Sequence, residues 1–225
     1  MRLSIIIPVL DEADRIGETL ARLAQLAPAV ERIVVDGGST DDTAARAAVL
    51  ARVIQAPKGR AAQLNAGAAA AAGDWLLFLH ADTILPSGFA EAVAQAAARG
   101  YRVGAFRLRI RGRHPLLPVL AWGATWRTRC TGIALGDQAP FMARAFFRLR
   151  GGFPALPLME DYAFFRALRR ERVPVFLAPS AVETSGRRWD QDGFWRTWLM
   201  MRRFYRAFDR GLDPRTFAAG YKDFR

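Results

Sequence analysis

Apolar residues follow two rhythms along this chain. Leu3–Val9, Ile33–Val35, Val53–Ile54 and Leu76–Leu79 are short apolar runs bounded by Gly, Pro, Asp or Ser, the pattern of strands buried on both faces. Between them the spacing turns helical. Ile16, Leu20, Leu23 and Leu26 form one stripe across Asp14–Leu26, and Asp41-Asp42-Thr43 opens a second helix with acids where a helix N-terminus favours negative charge. An Ala-rich helix runs from Lys58-Gly59-Arg60 to about Ala72, and a fourth spans roughly Ser87–Arg99. The order β-α-β-α-β-α-β with short connections predicts an α/β fold, a mostly parallel sheet with helices on both faces.

The second half is more mixed. Arg107–Arg111 alternates polar and apolar, as an edge or half-exposed strand does; Ala139–Ala143 and Val173–Leu177 predict two more strands. Phe146–Leu149 reads as a short helix before Gly151-Gly152-Phe153-Pro154, and Met159-Glu160-Asp161 opens a helix carrying Phe164, Phe165 and Leu168. Ser185–Trp189 reads as a loop. Residues 191–225 form a basic amphipathic tail: Phe194, Trp198, Met201, Tyr205 and Phe208 share one helical face, Arg196, Arg203 and Arg210 another. Such a helix either packs on the core with a solvated Arg face or lies on an anionic membrane through residues 194–210.

Composition narrows the class. With 225 residues, 52% hydrophobic and 24% charged, the chain can bury a core as one large domain. The net charge of +12, almost all of it arginine because only Lys58 and Lys222 are lysines, suits anionic partners. No zinc-finger spacing, aromatic RNA-binding strand or basic-plus-heptad region is present, so nucleic acid is not the expected partner. Cys130 stands alone, which excludes an intrachain disulfide and a multi-cysteine metal site. The Leu116–Trp126 piece is interrupted by Pro118 and Gly123, and no stretch reaches the roughly 18 apolar residues of a membrane span. The N-terminal run reads as a strand rather than a signal peptide, so a cytoplasmic protein is expected, peripheral to the inner membrane face if the tail engages lipid.

The chemistry gathers where apolar runs stop on acids. Ile5-Ile6-Ile7-Pro8-Val9-Leu10-Asp11-Glu12, Val35-Asp36-Gly37-Gly38-Ser39-Thr40-Asp41 and Leu79-His80-Ala81-Asp82-Thr83 are followed in order by Gly151-Gly152-Phe153, Met159-Glu160-Asp161 and Arg188-Trp189. This ordered set, over about residues 3–190, resembles glycosyltransferase family 2, most closely its small bacterial members without membrane spans. The resemblance implies a GT-A (Rossmann-like) fold, with residues 1–100 as the nucleotide-binding half and 101–190 as the acceptor half. It implies an inverting, metal-dependent transfer from a nucleoside-diphosphate sugar to an acceptor hydroxyl. A polyprenyl-phosphate acceptor at the membrane surface and a non-catalytic nucleotide-sugar sensor are the alternatives.

Residue by residue, the resemblance makes Pro8 and Glu12 line the donor's base pocket and Asp36 accept from base or ribose. A carboxylate at a strand's carboxyl end suits that task, and two glycines after it let a ligand approach. Glu12 also reads as an ordinary helix-start acid. Lys58 and Arg60, beside a helix N-terminus, would contact diphosphate or nucleoside. Asp82 would hold Mn²⁺ or Mg²⁺. His80 stands where the family's Asp-x-Asp motif has its first acid; it could ligate the metal, bond the ribose or simply pack, and imidazole leans the metal towards Mn²⁺. Asp161 aligns with the catalytic base, with Glu160 assisting acceptor binding; both also suit helix capping. Arg188 would clamp the diphosphate and Trp189 stack on the acceptor, although Ser185 replaces the Gln of the Gln-x-x-Arg-Trp motif, which argues against a polymer-extruding enzyme. Gly136-Asp137-Gln138 reads as an acceptor-facing loop.

Overall fold

The computed structural model describes residues 1–217. Residues 218–225, the end of the expected tail with Lys222, lie outside the described residues. In chain order the elements are β1 (Leu3–Val9), α1 (Ala13–Leu26), β2 (Glu31–Asp36), α2 (Thr43–Ala48), β3 (Arg52–Gln55), α3 (Arg60–Ala70), β4 (Trp75–Phe78), β5 (Thr83–Ile84) and α4 (Phe89–Ala98). Then come β6 (Val103–Arg111), α5 (Leu117–Thr131), a 3₁₀ turn (Gly136–Gln138), β7 (Phe141–Ala143), α6 (Arg144–Leu149), α7 (Glu160–Arg170), β8 (Phe176–Ser185), α8 (Arg187–Asp192) and α9 (Phe194–Asp209).

The eight strands among the described residues form one sheet in the order β3-β2-β1-β4-β7-β6-β8-β5. β3, β2, β1 and β4 are mutually parallel. β7 runs antiparallel to both β4 and β6, which makes β6 parallel to β4, and β8 runs parallel to β6. The carboxyl ends of β1, β2, β4, β6 and β8 therefore share one edge of the sheet, the edge where such folds place their ligands.

The strand alternation loads both faces. Ile5, Ile7, Val34 and Leu77 pack with α1 (Ile16, Leu20, Leu23) and α4 (Phe89, Val93) on one side. Ile6, Ile33, Val35, Leu76 and Phe78 pack with α3 (Leu64, Ala68), α6 (Phe146, Phe147) and α7 (Phe164, Phe165, Leu168) on the other. Gly67 is small because α3 lies against the sheet: a Cβ there would stand 2.4 Å from Ile6 Cγ2 and 2.9 Å from a Val35 methyl.

Two local readings need correction, and a third is narrowed. Arg107–Arg111 is half-exposed as expected, but β6 is interior, flanked by β7 near Val103 and by β8 along its length. Pro118 does not interrupt the Leu116–Trp126 piece. It sits in the first turn of α5, where no N–H is needed, and the helix closes on Gly132 at φ +70°. Arg187-Arg188-Trp189 begins the short helix α8 rather than lying in a loop.

Helix α9 packs inward through Met201, Tyr205 and Phe208 onto Leu158, Met159 and Tyr162. Its other face exposes Trp195 and Leu199 among Arg196, Arg202, Arg203 and Arg206. Among the described residues no helix is long and apolar enough to cross a membrane.

Candidate active site

The loops leaving β1 and β2 are tied to each other. Asp11, at φ +53°, accepts from Thr40 N at 2.7 Å and Oγ1 at 3.1 Å, while its own N donates to Ser39 Oγ at 3.0 Å. Glu12 N donates to Thr43 Oγ1 at 2.8 Å. Asp36 is 2% exposed and accepts from Ser39 N (3.1 Å), Ser39 Oγ and Gln55 Nε2 (3.0 Å). Behind both strands, Gln63 Nε2 donates to Val9 O and Val35 O, each at 2.8 Å. The Asp36 carboxylate thus first organises its own loop, leaving little lone-pair capacity for a ligand. Pro8, lacking an N–H, sits in β1 beyond Ile6, the last residue that β1 pairs to β4. Glu12 carries a 2.7 Å ion pair to Arg15 one helical turn on. Lys58 is exposed on the loop that leads to α3, and Arg60 is that helix's first residue.

A second polar cluster gathers past the end of β4. His80 and Asp161 both close on Gly136: a Cβ there would stand 2.7 Å from His80 Nε2 and 3.3 Å from Asp161 Oδ2. Gly136 N donates to Asp161 Oδ2 at 2.7 Å. Glu160, 1% exposed, forms an ion pair with Arg60 Nη1 at 3.5 Å, joining the starts of α3 and α7. Asp82, Asp161, Arg60 and Arg188 all act electrostatically on His80. Burial, then the Arg60 charge, push the His80 pKa down to about 4, against the pull of Asp82 and Asp161, so the ring is neutral near pH 7. Asp137 moves the other way. Burial raises its pKa to about 6, opposed by Arg127 and reinforced by Asp161, and its Oδ1 is buried without a hydrogen-bond partner.

The approach to α7 explains how two acids are delivered here. Gly151 and Gly152 take φ +75° and +78°, and Asn65 clamps the backbone of Phe153, accepting from its N at 2.9 Å and donating to its O at 2.8 Å. The Phe153 ring wedges against Phe78, Phe147 and Phe164 at 5.0–5.2 Å between centroids. Met159 then turns at φ +69° and starts α7 with Glu160 and Asp161 in its first turn, at the positive end of the helix.

Among the described residues no three His, Cys, Asp or Glu side chains converge tightly enough to cage a cation. Asp82 and the neutral His80 offer at most one or two donors, a set that would suit a divalent ion taking its other oxygens from phosphates and water. The residues fit a metal shared with a substrate better than a resident one.

The structure brings together Arg60, His80, Asp82, Glu160, Asp161 and Arg188. Trp189, half-buried, packs on Phe194 with ring centroids 5.4 Å apart. Gln138 turns inward, accepting from Thr128 Oγ1 at 2.8 Å and donating to Phe106 O at 3.1 Å. The burial of Asp137 and the Arg60–Glu160 pair join segments far apart in the chain and were missed; the polar Gly136-Asp137-Gln138 break between apolar neighbours was the one local signal. Gly136→Ala is expected to push His80 off Asp161 and to lower any turnover by about 10²-fold while keeping the fold, checked by kinetics beside circular dichroism. An unimpaired Gly136→Ala enzyme would mean the contact is incidental.

A family model, described as Glycosyl transferase family 2, matches residues 4–173. A glucosyl-3-phosphoglycerate synthase of Mycolicibacterium paratuberculosis is 36% identical over 96 residues, which are 37% of this chain and 29% of that protein. The chain therefore matches less than a third of that curated relative. Among solved structures, the mannosyltransferase PcManGT of Pyrobaculum calidifontis, in complex with GDP-Man and Mn²⁺, superposes with TM-score 0.67 at 20% identity, over 97% of this chain and 67% of that one. TarS 1–349 of S. aureus, in complex with UDP, gives 0.66 at 19%, over 82% and 60%. Glucosyl-3-phosphoglycerate synthase of Mycobacterium tuberculosis with Mn²⁺, UDP and glucosyl-3-phosphoglycerate gives 0.58 at 22%, over 82% and 70%. At these identities the structural likeness establishes the GT-A fold.

Proposed function

The chain belongs to glycosyl transferase family 2, and from that premise we propose that it moves a sugar from a nucleoside-diphosphate sugar to an acceptor hydroxyl with inversion at the anomeric carbon. The observation that carries this reading is Asp161, held by the Gly136 N–H on one carboxylate oxygen and set beside His80 and Asp82 at the sheet's carboxyl edge.

In this reading the acceptor hydroxyl attacks the anomeric carbon from the face opposite the leaving group. The new C–O bond forms as the bond to the diphosphate breaks, the hydroxyl proton passes to Asp161, and the nucleoside diphosphate leaves with the electron pair. The cross-tied loops around Pro8, Glu12 and Asp36 form the nucleoside side. Lys58, Arg60 and Arg188 supply positive charge to the diphosphate. Asp82, with His80 beside it, would hold Mn²⁺ or Mg²⁺, whose charge neutralises the departing diphosphate. Solved relatives of the same fold bind Mn²⁺ with UDP or GDP-Man, which supports this choice. Glu160, buried on Arg60, would hold that arginine in place.

Thermal stabilisation by a panel of nucleoside diphosphates, with and without Mn²⁺, tests the donor side on wild type and Asp82→Asn. One nucleotide at 100 times its Kd is expected to add about 2.7 kcal/mol, dependent on metal and largely lost in the variant. Stabilisation by no nucleotide would defeat the reading and favour a disabled scaffold. A lipid-phosphate acceptor is the second reading, favoured by Trp195 and Leu199 exposed among the α9 arginines.

A further inference from the structure

We propose that the acceptor carries a phosphate group, and that this phosphate docks in the arginine-lined cleft where β6 and β8 end, beside the transfer site. The acceptor's role rests on the transfer reading above; anion binding by the cleft does not.

The cleft has a volume of about 600 Å³ and is lined by Arg111, Arg113 and Arg187 with Gly112, Ser185 and Asp190. Three arginines and one acid line it. That acid is already engaged, since both Asp190 oxygens accept from Arg113 N, at 3.0 and 3.2 Å. Arg111 makes a 3.6 Å ion pair with Glu183 in which both side chains are exposed, a weak commitment. Arg113 and Arg187 have no ion-pair partner among the described residues, and both are exposed. Arginines lining one cleft, two of them without an ion-pair partner, suit the tetrahedral oxygens of a phosphate, which guanidinium forks bind through paired charge-assisted hydrogen bonds.

Topology puts this cleft next to the chemistry. Arg111 and Ser185 are register partners at the carboxyl ends of β6 and β8, the same sheet edge on which β4 delivers His80 and Asp82. Thr83, adjacent to Asp82, pairs with Thr184, adjacent to Ser185, and their hydroxyls bond at 2.9 Å. Arg187 lines the cleft while the next residue, Arg188, acts on His80. An acceptor anchored by its phosphate in the cleft would thus extend its hydroxyl towards Asp82 and Asp161. Gly186 keeps the strand ends close: a Cβ there would stand 2.8 Å from Arg111 O.

The test titrates glycerol phosphate into wild type, Arg113→Gln/Arg187→Gln and a control pair, Arg169→Gln/Arg170→Gln, that removes the same charge from the end of α7. The cleft variant is expected to lose about tenfold or more in affinity, with the control unchanged. Co-sedimentation with phosphatidylcholine vesicles containing or lacking phosphatidic acid identifies the source. Pelleting that needs phosphatidic acid and is lost in the cleft variant assigns a lipid phosphate; glycerol phosphate binding without pelleting assigns a soluble ester. Glycerol phosphate affinity unchanged in the cleft variant, or lost equally in the control, overturns the proposal. Nucleoside diphosphate binding on the same samples separates the two readings: its absence with an intact cleft signal defeats the transfer reading alone.

Discussion

Asp161→Asn is expected to lower the rate of sugar transfer by about 10³-fold while leaving nucleoside diphosphate affinity within about twofold. The substitution is nearly isosteric. The Asn carbonyl oxygen can still accept from Gly136 N, which Asp161 Oδ2 does at 2.7 Å, so the loop carrying Asp137 keeps its tether. What is lost is the proton acceptor. Without it the acceptor hydroxyl must shed its proton to water, and the charge that builds on the attacking oxygen has no partner. His80 does not take over easily, because burial and Arg60 already hold its pKa at about 4. Single-turnover kinetics isolate the chemical step from product release, and calorimetry with the nucleotide reads the donor site independently. A transfer rate within tenfold of wild type would remove Asp161 from the proton's path and leave it as a tether for the Gly136 turn.

The fold was legible where burial on both faces wrote unbroken apolar runs. β1, β2 and β4 announced themselves that way, and two of their ends announced chemistry because Asp36 follows Val35 directly and His80 and Asp82 stand just past Leu79. The gaps have specific causes. α5 carries apolar residues on every side, with Trp122 and Trp126 exposed and stacked at 5.8 Å, so no stripe separates its inner from its outer face. β8 was cut short because Ala178-Pro179-Ser180 resembles a turn. Pro179 is tolerated because the β6–β8 register shifts there, between Leu177 and Ala181, where the ladder skips a pairing. Within the site, single residues at element ends could be read, but partnerships could not. Arg60 and Glu160 are a hundred positions apart and each looks solvated alone; only the packing of α3 and α7 on one face of the sheet turns them into a buried pair.

Asp137→Asn is expected to stabilise the metal-free protein at neutral pH, by about 2–3 kcal/mol at pH 7.5, and to have little effect near pH 4. The sign follows from the direction of the shift. The folded protein raises Asp137 from 3.8 to about 6, so it binds that proton more tightly than the unfolded chain does. The corresponding stability is complete below about pH 4, drains away as pH rises through 6, and is absent above. Asparagine does not titrate and avoids the loss. Arg127 and Arg60 reduce the penalty and Asp161 adds to it, while the buried Oδ1 without a hydrogen-bond partner shows that they do not cancel it. Urea unfolding of both proteins between about pH 4 and 8 gives the difference directly, and contributions from other groups, His80 included, largely cancel in it. Parallel stability curves across that range would mean Asp137 is solvated in solution. A stabilised variant that has also lost transfer activity would show that the burial cost of this carboxylate is retained for the chemistry beside Asp161, the usual relation between strain at a site and its function.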